Sequence, residues 1–289
     1  MMSESTLREE YISLCRRLLR ESQDLFGHWP RLAEAIEIRC AQSKISSPPS
    51  GHRPHYMYIP GMDQTTPVWD ASEFAWANEL EANWEVIRAE AAALVGGTWS
   101  ARDYGGTVKD ETKAELPMAG IENASVQDKF ESLSSKFYDI PIFGNTALCP
   151  KTIELLRAVP LQKWADDLYV HFGVLGPGGY IVPHTGFTND RLISHLGLDV
   201  PPSCAMRVLD QELPWAEGKV RLFDDAFDHE VWNRSDRQRV IMTMLINNPR
   251  IPKDELSAIQ YFGDKEWEYV HSFGPAERKF LKTFHPQYI

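Results

Sequence analysis

The sequence predicts a mainly β chain with flanking helices, in the class of sandwiches, jelly rolls and barrels. From residue 136 onward, short runs rich in β-branched and aromatic residues recur between turn signals such as Pro177-Gly178-Gly179, Pro201-Pro202 and Ala216-Glu217-Gly218. Upstream of that point apolar residues recur at helical spacing instead. The chain has 289 residues, 43% of them hydrophobic, enough for one sizeable β-rich domain with attachments or for two small ones.

The elements follow in order. Residues 6–42 read as helical. Thr6 and Glu9 have the spacing of a capping box, and Leu7, Tyr11, Leu14, Leu18 and Leu25 recur at roughly helical intervals. A second helix is expected over Arg31–Ala41, ahead of the linker Ser46-Ser47-Pro48-Pro49-Ser50-Gly51. The strongest helix is expected from Asp70 to Val95. Asp70 or Ser72 would cap it, Leu80, Trp84, Ile87, Ala91 and Leu94 would share one face, and Gly96-Gly97 would end it. Residues 98–130 are polar and aperiodic and read as loop. Strands are expected over Lys136–Phe143, Leu168–Leu175, Gly179–Pro183, Arg191–Leu198, Ala205–Leu209, Lys219–Phe223, His229–Asn233 and Gln238–Ile246. Helices are expected at Pro150–Ala158, where Pro opens the first turn, and near Lys253–Gln260 and Pro275–Phe284. The domain organisation expected from this is an N-terminal helical extension over 1–50, a catalytic domain over 51–250, and a helical tail over 251–289 packed on the core.

Composition narrows the function. A net charge of −11 and a pI near 5.3 leave no stripe of cations for phosphates, so nucleic acid is not an expected partner. The N-terminus lacks the basic start and apolar core of a secretory signal. No stretch approaches the ~18 apolar residues of a membrane span. Cys15, Cys40, Cys149 and Cys204 are scattered, which fits reduced thiols rather than a disulfide framework or a zinc site. A cytoplasmic location without membrane attachment is the expectation.

The informative residues are His184 in Pro183-His184-Thr185-Gly186, His229 in Phe227-Asp228-His229-Glu230-Val231-Trp232, and Arg239 ten residues later. Two neutral imidazoles can hold one divalent iron, which oxygenases bind with two histidines and a carboxylate on one face. The carboxylate of that pattern falls two residues after the first histidine, and Gly186 stands there. Either water or a halide completes the set, or a carboxylate comes from elsewhere, with Asp225 the nearest candidate. Arg239 interrupts the apolar run Val240, Ile241, Met242 and Leu245. A guanidinium buried there needs an anion, either the far carboxylate of an oxoacid or a salt bridge to Asp224 or Asp228. His171 is a possible third ligand, with alternation along the strand leaving its direction open. His52 and His55 flank Pro54 in the linker and read as a solvated pair. Trp215 and Trp232 read as core.

Several motifs resemble the aspartyl/asparaginyl β-hydroxylase family of iron- and 2-oxoglutarate-dependent oxygenases. They are Pro183-His184-Thr185-Gly186 with Thr188-Asn189, then Arg191-Leu192, His195-Leu196-Gly197-Leu198 and Trp215-x-Glu217-Gly218-Lys219-Val220. Phe223-Asp224-Asp225-x-Phe227-x-His229-Glu230-Val231-Trp232 and Arg239 complete the set, with weaker similarity at Trp84-Glu85-Val86-Ile87-Arg88. The similarity covers residues 60–250, and 168–247 closely.

The resemblance implies a double-stranded β-helix, a cupin-like jelly roll. It implies iron held by His184 and His229 alone, with Asp225 supporting a water on the metal. Arg239 would salt-bridge the 2-oxoglutarate tail, His195 would lie near the same cosubstrate, and Arg191 would face the substrate. Apart from the resemblance, Asn189 is a candidate substrate contact or, with Thr188, orients the loop or forms turn hydrogen bonds. Three positions depart from the family: Gly173 stands where relatives have a serine for the oxoglutarate tail, Ile193 where they have a second substrate-side arginine, and Leu175 where they have a methionine. The expected activity is hydroxylation of an unactivated C–H bond with Fe(II), 2-oxoglutarate and O2, on an amino acid, a peptide, a carrier-bound amino acid or a related small molecule. The rivals are a two-histidine iron halogenase acting on a natural-product intermediate, an oxygen-independent cupin isomerase or lyase, and a non-catalytic metal-binding cupin module. Loops around 56–70, 100–130 and 250–275 are expected to set specificity.

Overall fold

The chain alternates between two antiparallel sheets from residue 170 to residue 247. That alternation is what winds a double-stranded β-helix. A computed structural model describes residues 3–41, 44–45, 51–54, 56–62, 66–95, 137–142, 147–164, 167–281, 284 and 287–288. The expected loop over 98–130, His55 and most of the expected linker at 46–51 lie outside the described residues.

The first strands are short: β1 (Lys44–Ile45), β2 (Val68–Trp69), β3 (Phe137–Pro141), β4 (Lys163–Trp164) and β5 (Asp167–Leu168). The wound region is β6 (Val170–Leu175), β7 (Tyr180–His184), β8 (Arg191–Asp199), β9 (Cys204–Val208), β10 (Gln211–Pro214), β11 (Val220–Phe223), β12 (His229–Asn233) and β13 (Arg239–Asn247). The major sheet has the order β2-β11-β8-β13-β6-β3 and the minor sheet β10-β9-β12-β7. β12 matches its expected span residue for residue, and the other long strands start and stop within two residues of expectation. β10 was not anticipated: Gln211-Glu212-Leu213-Pro214 is too polar and too short to signal itself, and it forms by pairing with β9. A last short strand, β14 (Gln287–Tyr288), pairs in parallel with β1.

Alternation of side chains sorts the major sheet into two faces. Even-numbered residues such as Phe172, Leu196, Leu222 and Met242 face outward into one cluster. There they meet Leu80 of α3 (Ala75–Ala82), Ile87, Ala91 and Leu94 of α4 (Trp84–Val95), and Leu155 and Leu156 of α5 (Pro150–Leu156). The long helix expected over 70–95 is therefore three pieces. Asp70 accepts a hydrogen bond from Ser72 N and caps a single 3-10 turn at Ala71–Glu73, and α3 breaks at Asn83 before α4 begins. The apolar face survives the break because Leu80, Ile87, Ala91 and Leu94 are all buried.

Odd-numbered Leu175, Phe223 and Ile241 face inward, where they meet Cys204, Met206, Val208 and Val231 of the minor sheet. That inter-sheet cluster is the floor of the site described below.

A third cluster joins the two ends of the chain. It holds α1 (Glu4–Phe26), α2 (Pro30–Ala41), α6 (Lys253–His271) and α7 (Pro275–Leu281), together with Met57, Ile59 and Met62. α1 begins earlier than the Thr6–Glu9 spacing suggested, because Ser3 is the N-cap and accepts from Thr6 N. It ends at Gly27, whose φ of 89° suits glycine. The cluster has a polar centre. Arg39 is buried and contacts Glu266 Oε1 at 2.9 Å and Tyr11 Oη at 2.7 Å, while Tyr11 and Tyr56 both donate to Glu266. No described helix is long and apolar enough to cross a membrane.

The buried pair and the exposed pairs should separate in a urea-unfolding series. Glu266→Ala strands the Arg39 guanidinium in the interior and should cost about 3–5 kcal/mol. Glu37→Ala, which breaks an Arg16–Glu37 pair more than half exposed on both sides, should cost less than about 1 kcal/mol.

Candidate functional site

His184 and His229 are brought face to face by one irregularity in β7. On β12, Trp232, Val231 and His229 pair with Tyr180, Ile181 and His184. Two steps on β12 are thus matched by three on β7, a β-bulge at Val182-Pro183. In a regular strand Ile181 and His184 would point to opposite faces. The extra residue puts both on the inner face, and Pro183, which has no N–H to give a ladder, tolerates the bulge. The two rings lie 4.1 Å apart between centroids, at 51°.

Each ring is oriented the same way. His184 Nδ1 lies 2.7 Å from the carbonyl oxygen of Val182, and His229 Nδ1 lies 2.9 Å from that of Phe227. A carbonyl can only accept, so both Nδ1 atoms carry the proton and both Nε2 atoms keep a lone pair. Desolvation by its surroundings and the neighbouring His229 push the half-buried His184 down to about 3, and burial lowers His229 as well. Both imidazoles are neutral at ordinary pH, the form that binds a metal.

The third position is occupied by a carboxylate without being a carboxylate position. A Cβ built on Gly186 would overlap the Asp225 carboxyl group, and Gly186 N–H donates to the Asp225 carbonyl at 2.5 Å. Asp225 is buried and accepts from Arg191 Nη2 at 2.9 Å, while its Oδ1 has no partner among the described residues. Among the described residues no group of three or more His, Cys, Asp or Glu side chains is arranged to hold a metal. His171 faces the inner side but packs its ring 4.1 Å from Tyr169 and joins no such group. Arg191, expected to face a substrate, is buried in the pair with Asp225.

Arg239 opens β13 opposite Leu175, on the inner face with Ile241. It is 2% exposed, and its guanidinium lies 4.7 Å from the centroid of the Trp215 ring. His195 sits beside the same indole, 5.9 Å between centroids, and 5.2 Å from Phe223. Burial first, then Arg239 and His229, hold His195 well below the usual histidine range. His195 Nδ1 and Trp215 Nε1 are buried without a partner among the described residues. The acids proposed as alternative partners of Arg239 are engaged elsewhere: Asp224 with His52, and Asp228 with Arg207. Gly173 lies on the same inner row, opposite Ile241, and offers no side chain.

Two further polar residues are spent on distant parts of the chain. Both ends of the buried Asn189 amide are taken up by Ile59, whose N–H donates at 2.7 Å and whose carbonyl accepts at 2.9 Å. Asn189 therefore clamps the 56–62 segment instead of presenting its amide to a substrate. His52, expected to be solvated, is fully buried, with Nε2 2.8 Å from Asp224 Oδ2. Gly51 before it and Pro54 two residues after it carry a linker signal. Its partner lies 172 residues away, and nothing local to either residue marks the contact.

Residues 81–249 match a family model described as Aspartyl/Asparaginyl beta-hydroxylase. An ornithine lipid ester-linked acyl 2-hydroxylase of Rhizobium tropici is 29% identical over 184 residues, 61% of this chain and 58% of that protein. The human aspartyl/asparaginyl beta-hydroxylase is 30% identical over 192 residues, 64% of this chain and 23% of that protein. The chain thus spans little more than half of one relative and under a quarter of the other. Among solved structures, a predicted oxalate decarboxylase from Thermotoga maritima is 15% identical over 27% of this chain and 65% of its own, with a TM-score of 0.24.

Restoring an acid at position 186 should not rebuild a three-ligand site. Gly186→Asp drives a side chain into Asp225 and should destabilise the fold by about 1–3 kcal/mol in thermal melts. It should also weaken cobalt(II) binding measured by titration. Tighter binding would show that the space is there after all.

Proposed function

This chain belongs to the aspartyl/asparaginyl β-hydroxylase family, and on that premise we propose that it is an Fe(II)- and 2-oxoglutarate-dependent dioxygenase that hydroxylates an unactivated C–H bond of an amino acid, a carrier-bound amino acid or a related small molecule. One observation carries the reading. Two neutral imidazoles from different strands face each other with both Nδ1 atoms tied to backbone and both Nε2 atoms left to bind. That donor set suits a divalent iron with open positions.

The cosubstrate reading rests on the next layer of the cluster. Arg239 is the cation for the distal carboxylate, held flat by Trp215. A buried ring nitrogen of His195 and the indole N–H of Trp215 are polar groups that a bound anion would satisfy. His195 neighbours Trp215, which Arg239 also contacts, and Phe223, which His229 also contacts, so it links the anion end of the proposed site to the metal end. Bound together, iron, 2-oxoglutarate and O2 supply the oxidising power for C–H hydroxylation, with succinate and carbon dioxide as co-products.

The chain's own groups do the rest. His184 and His229 hold the metal, and their carbonyl partners stop the rings from turning. Asp225, anchored by Arg191, keeps Oδ1 available to accept from a water near the metal. The inter-sheet cluster of Phe223, Phe227, Val231 and Ile241 keeps bulk solvent away. The Asp225 charge against Gly186 disfavours a halide there, so hydroxylation is favoured over halogenation. Ile193 pairs with Leu245 and Phe223 across the major sheet and gives that wall no cation, which suits an uncharged part of the substrate.

The test is turnover of 2-oxoglutarate to succinate with Fe(II), ascorbate and panels of free amino acids and acyl amino acids. His184→Ala and His229→Ala should abolish metal binding and succinate formation. Arg239→Leu should raise the dissociation constant of 2-oxoglutarate about 30-fold or more, the equivalent of roughly 2 kcal/mol. Failure of the wild type to bind 2-oxoglutarate would remove the proposal. Turnover without oxygen would favour the lyase, chlorinated product the halogenase, and metal binding without any turnover the binding module.

A further inference from the structure

His52 lies outside the family-matched residues 81–249, yet it is built into the turn that carries the metal site. We propose that His52 is a positioning residue for the metal centre, acting through Asp224; the proposal rests on the metal reading of His184 and His229 given above.

The connection can be followed bond by bond. His52 is 0% exposed, and its Nε2 meets the Oδ2 of Asp224, itself 0% exposed, at 2.8 Å. The other Asp224 oxygen, Oδ1, accepts from Ala226 N at 2.9 Å, which fixes the start of the 224–227 turn. The turn is tied on both sides, by Asp224 N–H to the Pro67 carbonyl at 3.0 Å and by Arg53 N–H to the Ala226 carbonyl at 2.9 Å. The His52 ring also packs 4.6 Å from that of Phe227.

What this turn delivers is the site itself. The carbonyl of Phe227 accepts from His229 Nδ1 and sets the orientation of that ligand. The carbonyl of Asp225 accepts from Gly186 N–H, two residues after His184. The Asp225 carboxylate has a cation of its own, accepting from Arg191 Nη2 at 2.9 Å. Two adjacent buried carboxylates would repel each other in any arrangement that shared one cation. Giving Asp224 to His52 and Asp225 to Arg191 holds them apart. Without the His52 hydrogen bond, the Asp224 carboxyl group loses a buried partner next to Asp225, and the turn has reason to relax along the line that ends at His229.

The experiment compares the full chain with His52→Met, which fills the space without a donor, and His52→Gln, whose amide N–H replaces the imidazole Nε2–H. Cobalt(II) is titrated and its visible absorption bands are recorded. His52→Met should weaken cobalt(II) binding about ten-fold, the lower end of what partners behind metal-binding histidines contribute, and should shift the bands. His52→Gln should restore both. Leu18→Ala, in the cluster of terminal helices, should lower the melting temperature while leaving affinity and bands at their wild-type values. Wild-type affinity and bands in His52→Met would overturn the proposal, as would equal losses in Leu18→Ala. If His52→Met does not fold, Asp224→Asn carries the test, because it keeps an acceptor for Ala226 N–H but loses the charge that His52 meets. Unchanged cobalt(II) binding in that variant counts against His52 in the same way. A wild-type chain that binds no cobalt(II) would instead remove the metal reading itself, before His52 is at issue.

Discussion

One extra residue in β7 determines what the interior of this protein can hold. Antiparallel pairing with β12 sets where His184 lies along the sheet, but the bulge at Val182-Pro183 decides which way it points. With a regular ladder, Ile181 would stay in the inter-sheet cluster and His184 would face the other way. The pair of imidazoles would not exist, although every residue of the motif would be present. The site is therefore a product of strand register and not of the motif alone.

Electrostatics then keep the pair usable. The region around His229 holds three acids within five residues, Asp224, Asp225 and the more exposed Asp228, and for the two buried ones an unpaired charge is costly. Each is met by a different basic group from a different part of the chain: His52, Arg191 and Arg207. The acids are stabilised in separate directions, so none collapses onto the histidines, and burial is free to keep both imidazoles neutral. Arg239 is set apart from this arrangement and rests on an indole face near the other end of the cluster. Negative charge near the histidines and positive charge at the far end suit a ligand that brings a cation to one end of the pocket and an anion to the other.

Much of this could be read from the amino-acid sequence, and the failures have physical causes. The wound strands could be read because they are β-branched and aromatic runs set between turn signals, and the span of β12 agrees residue for residue, although most of these strands are buried on both faces. The two histidines stood out by the motifs around them, and Arg239 because a cation is expensive inside an apolar strand. The break at Asn83 could not be read, because an apolar face keeps its helical spacing across a single irregular residue. β10 could not be read, because pairing and not propensity makes it a strand. Asn189 carried a plausible polar role by type alone, and only the two hydrogen bonds to Ile59 show where its amide is spent. His52 failed for the most general reason: its environment is set by a contact across most of the chain, while its immediate neighbours resemble a linker.

His52 does not brace the site alone. His52, Arg53, Tyr56, Met57 and Ile59 belong to one segment ahead of the family-matched region, and that segment touches both halves of the site. It bonds the 224–227 turn through His52 and Arg53, and it bonds the stretch after His184 through Tyr56 N–H and Met57 N–H to the Phe187 carbonyl and through Ile59 to Asn189. On its other side Tyr56 enters the buried group formed by Arg39, Tyr11 and Glu266. The terminal helices are thus joined by direct polar contacts to the segment that braces the stretches beside both histidines. A buried polar group left half satisfied costs more than one never formed. The segment is accordingly as much a part of the site's construction as the strands that carry the histidines, and the functional unit extends beyond the residues that identify the family.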